Sequence, residues 1–192
     1  MAAVDICRLA LMRIGHQSIV SLQENSPEAR ACACLYAPLR DEILETFPWP
    51  FAMHRERLPE INTPPVGNYR HAYQVPSDCL RVIDIVHTSS SDPPTYVIEG
   101  RQVLTDQGSV TLHYVRRVED VSLFSPQFVT TLSWRLAADL CLSLTREATQ
   151  AKFCTEMYRF SLSQAASLQA NQSRPPSAPL PAWIAARTGS RY

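Results

Sequence analysis

The chain has 192 residues, 45% of them hydrophobic, enough for one packed domain or one domain carrying a substantial insertion. Lys+Arg and Asp+Glu both number 18, so no global charge drives it onto nucleic acid or an acidic lipid surface. No apolar run is long enough to span a bilayer, and Asp5 and Arg8 interrupt the order expected of a secretory leader, so no membrane partner is expected and the cytoplasm is the expected setting.

In chain order, Val4, Cys7, Leu11 and Ile14 recur at three- and four-residue steps, predicting a first helix over about Ala2–Gly15, with Gly15 as a left-handed stop. A second helix starts at Ser26, whose side chain can cap free backbone N–H groups. Pro27 suits the first helical position and Glu28 the positive helix end. Its apolar stripe reads Cys32, Tyr36, Leu39, Ile43 and Phe47. Pro38 is placed within that stripe as a bend rather than a stop, and Pro48 and Pro50 end the helix. Tyr36, Pro38, Trp49 and Phe51 are the expected core anchors of this half, residues 1–50 with the turn just after it.

From 51 to 120 the prolines thicken and short β-branched runs appear. Leu80–Val86 reads as a strand, Tyr96–Leu104 as a tight hairpin turning at Glu99-Gly100, and Ser109–Arg116 as that hairpin's next partner. Helical periodicity returns over 121–170. Ser125-Pro126 repeats the cap-and-proline start, and Phe128, Leu132, Leu136, Leu140 and Leu144 step by four, widened by Val129 and Ala137. A last helix over about Glu147–Ala170 presents Phe153, Met157, Phe160 and Leu168 as the stripe to be buried. The fold class is therefore α+β: a bundle of about four helices with a small antiparallel sheet inserted between its halves. Residues 171–192 form an extended tail rich in Ser, Pro, Arg and Ala, which cannot pack a core alone.

Residues that carry chemistry are few. The six cysteines (Cys7, Cys32, Cys34, Cys79, Cys141, Cys154) stand mostly beside apolar residues in helical segments, and Cys32-x-Cys34 lacks the spacing of a zinc knuckle, so structural thiols are expected. Asp41, Glu42 and Glu45 crowd one turn, but only Asp41 and Glu45 share a face, which reads as solvated helix surface near Arg40. The histidines (His16, His54, His71, His87, His113) are scattered. Nucleophile-elbow, phosphate-loop and dinucleotide patterns are missing from the sequence, so no catalytic residue, metal or cofactor is assigned. Arg116-Arg117 could touch phosphate, but Glu119 and Asp120 offset the pair. Trp183 differs from the other aromatics: the tail offers too few apolar neighbours to bury it, which points to a pocket on another molecule.

Several segments also carry a family likeness. These are Asp5-Ile6-Cys7-Arg8-Leu9-Ala10 with Arg13-Ile14-Gly15, the link from Ser18 to Leu22, Leu35-Tyr36-Ala37-Pro38-Leu39-Arg40-Asp41, and Phe47-Pro48-Trp49-Pro50-Phe51-Ala52. Tyr73–Arg81, Glu99-Gly100-Arg101 with Leu104-Thr105-Asp106, and Tyr114–Val118 continue it. In this order and spacing, over roughly residues 2–165, the chain resembles the tail tubular protein A family, the head-to-tail adaptors of tailed bacteriophages. The resemblance implies a structural virion protein rather than an enzyme, assembled in host cytoplasm. It implies a ring of identical copies, commonly dodecameric, between the portal protein and the tail nozzle, with DNA passing through the lumen without sequence recognition. It further implies that the C-terminal segment reaches the portal; the tail's own residues, which are not family hallmarks, then give the expectation that Trp183 and Ile184 fill an apolar pocket there, with Arg174, Arg187 and Arg191 pairing with acidic groups around it. The alternatives are a small phage hydrolase using Asp41, Glu45 or a histidine, and a nucleic-acid-binding module using Arg116 and Arg117.

Overall fold

The computed structural model describes residues 1–63, 65, 68–86 and 95–172, with the backbone alone at 170–172. Helix α1 (Ala3–Arg13) begins with the Asp5 carboxylate accepting from the Ala2 amide at 2.7 Å, and Gly15 follows its end at φ +72°, a conformation that favours glycine. Both serine–proline pairs start helices. Ser26 Oγ accepts from the Ala29 amide at the head of α2 (Pro27–Thr46), and Ser125 Oγ accepts from the Phe128 amide at the head of α3 (Pro126–Leu144), each at 3.2 Å. Helix α2 continues through Pro38 and stops before Pro48. The last helix, α4 (Ala148–Gln172), runs two residues into the segment that the sequence assigns to the tail.

Helix α3 is the hub of the bundle, with α1, α2 and α4 each packed against it. Four of its large side chains serve that role, Phe128, Leu132, Leu136 and Leu140, each 0% exposed, whereas Leu142 near its end is 55% exposed. Helix α4 does the opposite of what its large residues predict. Its buried side is made of Ala151, Cys154, Ser161 and Ala165, whereas Phe153, Phe160 and Leu168 are more than half exposed. Small side chains allow α4 to approach α3 closely. Phe153 and Phe160 fall roughly a quarter-turn or more from the seam, so the larger stripe is left at the surface.

The inserted region holds two three-stranded antiparallel sheets rather than one. Strands β1 (Met53–Arg57), β6 (Thr111–Arg116) and β3 (Cys79–Val86) form the first, in that spatial order. The second is β2 (His71–Gln74), β5 (Gln102–Thr105) and β4 (Tyr96–Glu99). The β4–β5 hairpin forms as its sequence predicts, although its turn falls one residue later, at Gly100-Arg101, with Gly100 at φ +59°. The expected pairing of β6 with that hairpin is corrected. β6 instead sits between β1 and β3, with Tyr114 opposite His54 on one side and Val82 on the other.

This placement makes the first sheet a middle layer. From it, Met53, Leu80, Ile83 and Val115 join the bundle core, while Leu112, Tyr114, Ile85 and Val82 join a second core with Tyr73, Val103 and Tyr96 of the other sheet. Alternation along the strands divides the side chains between the two cores. The order of layers is bundle, first sheet, second sheet.

Candidate interaction surfaces

The four expected core anchors separate in the structure. Tyr36 is 8% and Trp49 2% exposed, and Phe51 is half-buried. Trp49 Nε1 donates to the Ile43 carbonyl at 3.0 Å, satisfying the buried indole N–H at the end of α2. The Trp49 ring meets Phe47 and Phe128 edge-on, each at 5.0 Å, and Phe51 lies 5.2 Å from Phe128 and 5.6 Å from Phe124. This aromatic joint fastens the exit of α2 to the entrance of α3. Pro38 does not belong with the anchors: it is exposed. Two residues past Tyr36 and one before Leu39, it projects at least ~100° away from the buried stripe, where its missing N–H and its ring face solvent.

The acidic turn of α2 is occupied by ion pairs. Arg40, expected at the surface, is only 6% exposed and meets Asp41 at 2.8 Å and Glu119 at 3.5 Å. The other Asp41 oxygen accepts from Arg117 Nε at 2.7 Å. Glu42 pairs with Arg135, which also holds Asp139 at 2.8 Å, while Glu45 is exposed. Arg117 therefore clamps the exit of the middle sheet onto α2, and both Asp41 oxygens are occupied by guanidiniums.

The described histidines stand apart. His16 lies 3.2 Å from Glu28 and His71 2.6 Å from Glu60, both single pairs. Backbone hydrogen bonding at the start of α2, with a smaller contribution from His16, holds the Glu28 carboxyl below its ordinary range. Burial, aided by Arg55, pushes His113 down. His87 lies outside the described residues. Several thiols and phenols are pushed up. The Cys7 thiol is pushed up by its hydrogen bond with Cys32 and then by burial, while burial alone leads for Cys79, to about 11, and for Tyr36, to about 12. Tyr114 hydroxyl lies 3.1 Å from Glu56 and 3.2 Å from Asp78, and its one proton serves one carboxylate at a time. Among the described residues, no three His, Cys, Asp or Glu side chains converge as metal ligands, and none of the six cysteines is bridged.

Among the described residues, exposed apolar side chains occur on several elements, including Val97 and Ile98 of β4 and Leu142 of α3, and two groups of them stand on the separate helices α1 and α4. On α1, Met12 is 68% and Leu9 37% exposed, with Val20 also exposed in the loop beyond. On α4, Phe153, Phe160 and Leu168 follow one ridge, with Met157 half-buried between them. The α4 ridge escaped the sequence reading because two stripes run along that helix. One is of large residues and one of Ala, Cys and Ser, and their combined width exceeds what one neighbouring helix can cover. Arg13, stacked 3.8 Å over Trp134 and donating to the Thr130 carbonyl at 3.1 Å, was also invisible in the sequence. Burial there lowers the guanidinium's pKa to about 10.

Of the residues assigned to portal contact, Arg174, Trp183, Ile184, Arg187 and Arg191 all lie outside the described residues. No protein-family model matches the chain, and no curated protein matches it either.

Proposed function

We propose that this chain is a head-to-tail adaptor of a tailed-bacteriophage virion, a structural protein that forms a ring between the portal and the tail nozzle, with DNA passing through its lumen. The observation that carries the proposal is the pair of unlike apolar faces on α1 and α4, on separate helices that each pack against α3. A closed ring needs such a pair, because each copy must present one face to the copy before it and a different face to the copy after it. The resemblance of residues 2–165 to tail tubular protein A supplies the particular ring and partners. With Asp41 held by two arginines, chemistry carried by surfaces fits better than hydrolysis at the acidic turn.

The portal contact is assigned to the tail. Pro175, Pro176, Pro179 and Pro181 favour extended backbone and lower the entropy lost when a segment is laid along a partner. Trp183 and Ile184 then supply the apolar anchor, and Arg174, Arg187 and Arg191 the rim. Deleting residues 173–192 should leave the circular dichroism of the domain unchanged and weaken portal binding, and Trp183→Ala should reproduce much of the loss. Unchanged affinity in both variants would make the tail a passive extension and remove the portal assignment.

A further inference from the structure

We infer that the exposed ridge of α4 is a docking surface for the segment that follows it in the same chain, residues 177–184, with Trp183 seated between Phe153 and Phe160. Phe153, Phe160 and Leu168 are 54%, 55% and 54% exposed, in register along one side of the helix. Large apolar side chains gathered on one ridge mark a contact surface more often than scattered single ones do. Helix α4 packs chiefly on α3, through its small residues; Phe153 meets Trp134 of α3 edge-on at 6.1 Å, and the outer half of each ridge side chain remains open to a partner.

Reach and tethering select the occupant. From Gln172 back to Phe160 is about 18 Å along the helix, and to Phe153 about 29 Å, at about 1.5 Å per residue. Forward from Gln172 to Trp183 is about 34 Å in extended polyproline geometry, or about 22 Å if the first four residues are used to reverse direction. The fully extended value overshoots Phe153, whereas the value with a reversal places the indole between the two phenylalanines, with Leu180 between Leu168 and Phe160. A segment tethered this closely presents itself at roughly millimolar effective concentration, far above that of a second copy in dilute solution. The sequence alone sends Trp183 to another molecule because the tail has no core. The structure offers a nearer apolar surface.

The docking itself does not require the adaptor reading. Its consequence for assembly does rest on that reading, in which the α4 ridge is one of the two ring faces.

The test is fluorine NMR of the full chain labelled with 5-fluorotryptophan. Trp183 is assigned by Trp183→Phe, and Trp49 serves as a buried reference. The Trp183 signal should be shielded from a soluble gadolinium chelate several-fold better than free fluorotryptophan, and this should not change on dilution. The double variant Phe153→Ser, Phe160→Ser should expose it. Three results would overturn the inference: a freely accessible Trp183 in the unaltered chain, protection that vanishes on dilution (a second copy as occupant), or protection that survives in a folded double variant. Should the double variant not fold, accessibility in the unaltered chain decides alone. Because no portal is present, failure here leaves the adaptor reading standing, and failure of portal binding leaves this result untouched.

Discussion

Helices α3 and α4 lie side by side, and they use their large residues in opposite ways. On α3 the side chains of Phe128, Leu132, Leu136 and Leu140 are fully buried, because α1, α2 and α4 surround it. On α4 the seam is built from Ala151, Cys154, Ser161 and Ala165, and the phenylalanines face outward. A hub helix has neighbours on several sides, so any apolar stripe finds cover. A peripheral helix has one main neighbour, and the closest approach comes from its smallest residues. Residue size therefore reports burial on α3 and reports an unfilled contact on α4.

Breaking the hub should cost most. Phe128→Ala removes a ring that touches Trp49, Phe51 and Phe124, and should lower stability by about 3–5 kcal/mol in denaturant titration. A loss below about 1 kcal/mol would mean that the aromatic joint is not a packed core. The seam comes next. Ala165→Leu, at a position 5% exposed, should cost about 1–3 kcal/mol through overpacking, and a neutral result would place α4 further from α3 than described.

Alkali probes the same seam. Burial raises the Cys154 thiol and the Tyr158 phenol above their ordinary values. A raised folded pKa means that the folded state binds more protons, so stability is full below the unfolded values near 9 and 10 and falls as pH climbs through the folded ones. Melting temperature should decline as the pH is taken above about 9, and Cys154→Ala should soften the decline; an equal decline in that variant removes the thiol from the seam. The smallest effect belongs to the outer ridge. Phe160→Ser should change the stability of a chain truncated after Gln172 by no more than about 0.5 kcal/mol, and a larger loss would show the ring to be covered.

The same contrast explains what was legible in the sequence. Caps and proline positions placed the helix starts, since Ser26 and Ser125 act locally, on amides three residues away. Stripes on α1, α2 and α3 identified most of the core because those helices have neighbours on several sides. Strand β1 was hidden because Met53-His54-Arg55-Glu56-Arg57 is nearly all polar, and β2 because it is four residues long. The partner of β6 was misread because adjacency in sequence favours a hairpin, whereas packing between two cores favoured the middle of a sheet. Pro38 was misplaced by proximity to the stripe rather than by angle. Of the candidate site, the sequence identified Trp49 and Phe51 from the proline stop but could not foresee that Arg40 is buried or that Arg117 reaches Asp41, because that clamp joins residues far apart in the chain.

The adaptor proposal meets its most direct test in the mass of the particle formed with portal. Purified chain mixed with portal rings should give, by multi-angle light scattering, a complex heavier than portal by many copies of the chain, with the count matching a closed ring. A complex carrying one copy per portal assembly, or no complex at all, would contradict it.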